Sequence, residues 1–362
     1  MSSLPEQQQL PSKEEMDFLQ AVQVATSAVL PFALKTAIDL DLLEIIAKAG
    51  PGCMLSPAEI VSNLPANNPD APNIIDRILR VLTAHSILAC NLVTDEDGHT
   101  KRLYGITSVG KYFLQNEDGT SLAPMLKLVQ DKRLIECWNL FKEATLEGGL
   151  SLVRGFGMDL FEVVAKDRNL ANTFNQLMSN HTTIVMKKIL EIYKGFEGLS
   201  QVVDVAGGLA TNLKLIVSKY PHIKGINFDL PFVLKDAPNI PGVEHVGGDM
   251  FTKVPHGEVI FMKWILHDWG DEQCLKLLRN CHEAVAENGK VILVESIVPE
   301  LPMTDLVTIA TVNLDLGLLQ LVPGARERTK KEFEKLATEA GFTTLKLVCR
   351  AYNYWVMELY KI

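Results

Sequence analysis

Val202-Val203-Asp204-Val205-Ala206-Gly207-Gly208-Leu209-Ala210-Thr211 decides the fold, and the helix-spaced apolar run Leu213 to Val217 follows it directly. A short apolar run, a glycine pair and then helical spacing read as strand, tight turn and helix N-terminus. In a doubly wound sheet the first strand ends at a cofactor crevice, where turn glycines let the backbone come close to a nucleotide-like group. A second acid about 20 residues on would grip a ribose. Asp229 stands 25 positions after Asp204 and ends the strand-like run Ile226-Asn227-Phe228. A turn with glycine at every second position would have it at 206, 208 and 210; the chain has Ala206, Gly208 and Ala210.

Working outward toward the C-terminus, strand-like runs at 202–205, 225–228, 258–262, 290–295 and 345–349 alternate with helical segments at 212–219, 272–286 and 330–340. That alternation predicts an α/β domain with a mostly parallel sheet covered on both faces. Toward the N-terminus the period is helical. From Glu14 to Lys48 apolar residues recur at three- and four-residue steps, with Pro31 set to break or kink the run. The apolar stripe is wide enough to pack on a second subunit. Ser56-Pro57-Ala58-Glu59 is a helix start with a cap, a first-turn proline and an acid at the positive end of the dipole. A helix over Asp76 to Ser86 follows, then two strands, Leu88 to Val93 and Lys101 to Ile106, around the turn Asp95-Glu96-Asp97-Gly98. Helices followed by a two-stranded wing make a winged-helix shape. Its expected recognition helix carries Asp76, Arg77 and Arg80 with little further basic charge, which argues against DNA. Trp138 to Leu146 and Met158 to Tyr193 read as helices, the second long and interrupted. The expected division is therefore 1–160, helical, and 161–362, α/β.

Composition sets the outer limits. With 362 residues, 47% hydrophobic and 22% charged, the chain can fill two cores, and a net charge of −9 with no basic run gives nucleic acid nothing to bind. The start, Met1 to Glu15, is polar and Gln-rich, without the order of a secretory signal, and no apolar stretch reaches membrane-spanning length. Six scattered cysteines without a CxxC or Cys/His cluster predict free thiols in a reducing cytoplasm and no zinc.

The chemistry lies in the second half. Gly247-Gly248-Asp249-Met250-Phe251 follows the strand-like His245-Val246 and sets a carboxylate beside two apolar side chains, suited to an adenine amino group and ring. In Phe261-Met262-Lys263-Trp264-Ile265-Leu266-His267-Asp268-Trp269, His267 falls just beyond the C-terminal edge of an apolar strand, where α/β active sites form. Glu295 ends the strand Val291-Ile292-Leu293-Val294, where an unpaired charge would be costly. Glu327 lies in Gly324-Ala325-Arg326-Glu327-Arg328-Thr329, just before a helix. Carboxylates beside an imidazole orient it, fix its tautomer and raise its pKa, the arrangement of a general base.

Asn227-Phe228-Asp229-Leu230-Pro231, Gly242 to Phe251, Lys263-Trp264, His267-Asp268-Trp269, Asn280-Cys281 and Glu327-Arg328-Thr329 together carry a resemblance. Over nearly its whole length the chain resembles the plant caffeic acid O-methyltransferase family, S-adenosylmethionine-dependent enzymes that methylate phenolic hydroxyls. The resemblance implies an N-terminal dimerisation domain forming a homodimer and a Rossmann-like C-terminal domain. It implies that Asp229 and Leu230 hold the cofactor ribose, Asp249, Met250 and Phe251 the adenosine and Lys263 a cofactor carbonyl, with Ala206 and Gly208 in the turn beneath. His267 becomes the base that takes the phenolic proton, steered by Glu295 and Glu327, with no metal. A free phenol titrates near ~10 and histidine near ~6.5, so assisted deprotonation makes the better nucleophile. The phenolic pocket falls to Leu128, Val129, Val164, Phe174, Met178, Asp268, Leu314, Leu318 and Val322.

The chain departs from the family in two places. Glycines of the cofactor turn are replaced by Ala206 and Ala210, and an added methyl at a close contact costs on the order of 1–3 kcal/mol. In the pocket, Val129 and Val322 stand where asparagine is usual and Val164 where histidine is usual, while Gly317 adds room; a bulky, fairly apolar phenolic is favoured over caffeate. With the base kept and the cofactor turn altered, a second reaction class stays open: a cofactor-independent cyclase, in which a deprotonated phenol attacks an internal electrophile such as an epoxide. A third reading is a weakly catalytic subunit that pairs with an active homologue.

Overall fold

The computed structural model describes residues 11–94 and 96–362. The Gln-rich start up to Leu10 and Asp95 of the hairpin turn lie outside the described residues. The chain divides between Gln130 and Asp131 into two compact units.

The first unit runs α1 (Lys13–Ala25), α2 (Val29–Asp39), α3 (Leu42–Lys48), α4 (Pro57–Val61), α5 (Ala71–Ala84), β1 (Leu88–Thr94), β2 (Thr100–Ile106) and α6 (Ala123–Val129). Pro31 lies in the first turn of α2, where a missing N–H is tolerated, so the expected break comes earlier, at 26–28. Ser56 caps α4 in a capping box with Glu59. Leu34, Ile38, Leu42, Leu43, Ile46, Leu79, Leu82 and Leu88 fill one core, covered by the antiparallel wing β1–β2. On α1 no residue is buried within the single chain, and Met16, Phe18, Leu19 and Val22 are exposed. These side chains are part of the apolar stripe expected from sequence to pack on a second subunit.

The second unit begins with α7 (Lys132–Asn139), α8 (Phe141–Glu147), α9 (Ser151–Phe156), α10 (Leu160–Lys166) and α11 (Arg168–Ile192). The division therefore precedes the expected boundary near 160. Segment 131–160 is tied to the α/β part by its own polar groups. Arg133 bridges Asp131 to Asp167, the N-cap of α11, and Leu152 and Leu160 donate their N–H groups to the carbonyls of Gln320 and Leu321.

There follow β3 (Gln201–Val205), α12 (Thr211–Lys219), β4 (Lys224–Asp229), β5 (Val243–Gly247), β6 (Gly257–Lys263), α13 (Asp271–Ala284), β7 (Val285–Ser296), α14 (Leu306–Leu319), α15 (Lys330–Glu339), β8 (Thr344–Ala351) and β9 (Tyr354–Tyr360). The sheet order is β5-β4-β3-β6-β7-β9-β8, parallel except for β9, which runs antiparallel to both β7 and β8. Val202, Val203, Val205, Ile260, Phe261, Val291 and Ile292 are all 0% exposed, as central strands covered on both faces require. Each strand predicted from sequence is present; β9 was not predicted. The chain passes from β3 to β4 on one side and returns to β6 on the other, so the topological switch lies at the C-terminal ends of β3 and β6. Among the described residues no single helix is long and apolar enough to cross a membrane.

Candidate active site

At the end of β3 the backbone turns left-handed at three alternate positions, Ala206 (φ +56°), Gly208 (φ +55°) and Ala210 (φ +61°). Glycine adopts this region freely; an L-residue there costs about 1–2 kcal/mol. The alanines are thus strained through their backbone, a cost the sequence reading had placed in crowding of their methyl groups. Ala210 is fully buried as the N-cap residue of α12, and the half-buried Ala206 packs against the sheet core. Gly207 admits no side chain, because a Cβ would come within 2.2 Å of Asn227 Oδ1 and 2.6 Å of Asp204 Oδ2. Asp204 is buried, accepts from Asn212 Nδ2 at 3.2 Å and is pushed up to about 7 by its burial.

Asp229 ends β4 with both carboxylate oxygens engaged, accepting from Gly208 N–H (2.8 Å) and Leu230 N–H (2.7 Å). A Cβ on Gly208 would meet no atom within 4 Å, so space opens above the turn. At Gly248 a Cβ would strike the Phe228 ring at 2.5 Å, and glycine is what lets the segment after β5 lie this close. Asp249 is exposed and accepts from Phe251 N–H at 2.9 Å; Phe251 meets Trp269 edge-on with ring centroids 4.8 Å apart, and Asn280 Nδ2 holds the Met250 carbonyl at 2.8 Å. The three strand ends therefore present the predicted carboxylates, Asp229 and Asp249, beside the strained turn.

Beyond β6 the chain enters a tight turn at Trp264, itself left-handed at φ +58°. Lys263 is buried with its Nζ 3.2 Å from Thr182 Oγ1 and 4.6 Å from the Trp264 ring centroid, and burial lowers its pKa to about 8. His267 is 4% exposed; its Nδ1 lies 3.0 Å from Glu327 Oε1 and its Nε2 3.6 Å from Asp268 Oδ1. Burial disfavours the imidazolium, but the charges of Asp268 and Glu327 outweigh it, and the pKa is raised to about 10. Glu295 plays a different part from the one expected. Its Oε1 accepts from the N–H groups of Ile265 and Leu266, both at 2.9 Å, so it holds the turn that carries the imidazole and makes no hydrogen bond to the ring. Burial pushes Glu295 up to about 7 and raises Asp268 as well.

One atom each of His267, Glu295 and Glu327 lie within 4.8 Å of one another, so the two acids grouped with the imidazole from sequence do lie beside it. The 3.0 Å contact between Nδ1 and Glu327 is a hydrogen-bond distance.

The apolar pocket residues take paired places. Phe174 and Met178 are one turn apart on α11, Leu314 and Leu318 one turn apart on α14, all half-buried; Val164 is half-buried on α10, and Val322 is buried just past α14. A Cβ on Gly317 would meet open space. Leu128 and Val129 belong to the first unit, on the last turn of α6, the first buried and the second exposed.

Sequence reasoning missed His181. It stacks on Trp264 with centroids 4.0 Å apart, and its Nε2 is 3.0 Å from the Tyr354 hydroxyl of unpredicted β9. Burial, then the nearby Lys263 and His267, hold its pKa well below the usual histidine range. One signal was available: His181 interrupts the buried stripe Leu177, Val185, Ile189 at four-residue spacing. His181 Nδ1, Trp264 Nε1, Glu295 Oε2 and Glu327 Oε2 are buried without a hydrogen-bond partner among the described residues, which is the state of atoms kept for a ligand.

A Rossmann-like sheet with acids at successive strand ends and a buried imidazole makes a nucleotide-type cofactor crevice with a proton acceptor beside it. Residues 22–116 match the O-methyltransferase dimerisation domain and residues 138–343 the O-methyltransferase domain, so the chain is an S-adenosylmethionine-dependent O-methyltransferase that forms a homodimer. It is 55% identical to caffeic acid 3-O-methyltransferase of Catharanthus roseus over 361 residues, 99% of each chain, and 53% identical to caffeic acid 3-O-methyltransferase 1 of Ocimum basilicum over the full length of both. It belongs to the plant caffeic acid O-methyltransferase family. In fold it is similar to human N-acetylserotonin methyltransferase in complex with S-adenosylmethionine, with a TM-score of 0.80 at 20% identity, covering 97% of this chain and 99% of that one. These relatives support methyl transfer and lend no support to cofactor-independent cyclisation.

Proposed function

We propose that the chain methylates a phenolic hydroxyl of a bulky, fairly apolar plant phenolic in the cytoplasm, with His267 as general base. The observation that carries this reading is the buried imidazole whose Nδ1 meets Glu327 at 3.0 Å, leaving Nε2 on the side of Asp268. Bound S-adenosylmethionine supplies an electrophilic methyl group. Asp229 and Leu230 would hold its ribose, Asp249, Met250 and Phe251 its adenosine, and Lys263 a carbonyl of it. The open space at Gly208 and the orphaned polar atoms around His181 and Trp264 fit such a group.

His267 Nε2 receives the phenolic proton. Nδ1–H donates to Glu327, which fixes the tautomer and stabilises the imidazolium. A base raised toward 10 matches a phenol near ~10, so the transfer is close to thermoneutral. Glu295 keeps the turn in place, and the apolar side chains of α10, α11 and α14 exclude water. Valine at 322 and 164, where the family usually has asparagine and histidine, removes hydrogen bonds that a small polar acid would use, although the relatives are caffeic acid enzymes.

The test is incubation of purified protein and S-adenosylmethionine with caffeic acid and, in parallel, a prenylated flavonoid, read by mass spectrometry. Methylated flavonoid formed faster than methylated caffeate, and abolished in His267→Ala, is the expected result. Product formed equally well without S-adenosylmethionine, or by His267→Ala, overturns it.

A further inference from the structure

The segment 326–328 grips the base-bearing turn through three successive residues. Arg326 N–H donates to the His267 carbonyl at 2.8 Å, Glu327 meets the imidazole, and Arg328 reaches beneath. Arg328 is 0% exposed and heads the fully buried side chains in size. Its Nη1 donates to the Leu266 carbonyl and its Nη2 to the Trp269 carbonyl, both at 2.7 Å, so the fork spans the two ends of the turn. Its Nε and Nη2 also donate to Asp271 Oδ1 at 3.0 and 2.8 Å, and that partly exposed carboxylate balances a charge that would otherwise be costly to bury. The backbone of Arg328 is locked to the segment just past β7: it bridges Ile297, and its carbonyl accepts from Val298 N–H at 2.9 Å.

We propose that Arg328 is the positioning residue for His267, its planar fork tying the carbonyls of Leu266 and Trp269 to the same strap that carries Glu327. The inference rests on the reading of His267 as the base. Only a rigid guanidinium meets two carbonyls and a carboxylate at once; an ammonium on a flexible stem satisfies one direction at a time. His267 faces Asp268 on its own turn, Glu295 at the end of β7, Glu327 on the strap and, across Trp264, His181 of α11 with Lys263 of β6. Releasing the turn takes the imidazole away from Glu327 without altering any of these groups, and a misplacement of about 1 Å costs roughly 100-fold in rate.

The experiment compares Arg328→Lys, Asp271→Asn and His267→Ala as full-length dimers. Readouts are kcat and KM for S-adenosylmethionine with the best phenol of the panel above, and the His267 ring-nitrogen NMR titration, which needs no substrate. Arg328→Lys is expected to lose about 10- to 100-fold in kcat with KM for the cofactor within about threefold. Its His267 titration moves toward the ordinary histidine range. Asp271→Asn, at an exposed site that the fold tolerates, moves both readouts the same way by a smaller amount and carries the test if Arg328→Lys does not fold. Wild-type kcat and an unmoved His267 titration in folded Asp271→Asn or Arg328→Lys, with His267→Ala inactive, overturn the positioning role. Turnover by His267→Ala overturns the base assignment instead.

Discussion

Ala206→Gly and Ala210→Gly test where the cost of the cofactor turn lies. Both alanines sit near φ +60°, where an L-residue is about 1–2 kcal/mol above its preferred regions. Glycine removes that strain, but its freer unfolded chain takes back about 0.4–1 kcal/mol. At position 206 the methyl is half-buried against the core, and the balance comes to roughly 0.5–1 kcal/mol in favour of glycine. At position 210 the methyl is fully buried, and its loss costs about 0.8 kcal/mol more, which cancels the gain. Ala206→Gly should therefore raise Tm by about 1–2 °C in differential scanning calorimetry, while Ala210→Gly leaves it within about 0.5 °C. Because the Ala206 methyl faces the core, S-adenosylhomocysteine titrated by calorimetry should bind Ala206→Gly within about threefold of the parent chain. A fall in Tm for Ala206→Gly refutes the strain argument. A tenfold or larger gain in affinity with no gain in Tm shows that the methyl obstructs the ligand.

Four further outcomes follow from the site. His267→Ala should lower kcat by about 10²–10⁴-fold with cofactor affinity retained, measured by stopped assays and calorimetry on the same sample. The base must be unprotonated to act, and its pKa is raised to about 10, so kcat/KM should climb with pH through the alkaline range, about tenfold per unit below the midpoint. Glu327→Gln removes one of the charges that raise it, and the midpoint of that profile should fall by about one to two units; an unmoved midpoint refutes the pairing. Val322→Asn should lower KM for caffeic acid by about 2- to 10-fold and weaken a prenylated flavonoid, measured side by side.

The parallel sheet was legible because Val202-Val203-Asp204-Val205 and Val291-Ile292-Leu293-Val294 are apolar without alternation, as strands buried on both faces must be. Strand β9 was not, since Tyr354-Trp355-Val356-Met357-Glu358-Leu359 mixes large aromatics with a buried acid that only its tertiary partners explain. Glu358 accepts from Tyr193 at the C-terminal end of α11 and Lys290 of β7, as well as from Tyr360 two positions along its own strand. The boundary near 160 had the same defect: Asp131, Arg133 and Asp167 look like ordinary surface charges until the fold joins them. Within the site, His267 and Glu327 could be named from the sequence, but the difference between Glu327, which touches the ring, and Glu295, which touches the backbone beneath it, depends on distances no spacing rule contains.

The electrostatics of the sheet edge explain why base and cofactor residues occupy adjacent strands. Asp204 and Glu295 are both buried and raised to about 7, Asp268 is raised too, and the facing cation, Lys263, is lowered to about 8. Burial dominates every one of these shifts, so each group is poised to ionise if a compensating charge arrives. A sulfonium is such a charge. Its arrival would favour the ionised carboxylates and, by direct repulsion, oppose the imidazolium. The acids that raise the histidine would then be balanced by the cofactor's charge instead of by a protonated ring, and on the reading of His267 as base the imidazole would be readiest for a proton where the methyl group is held.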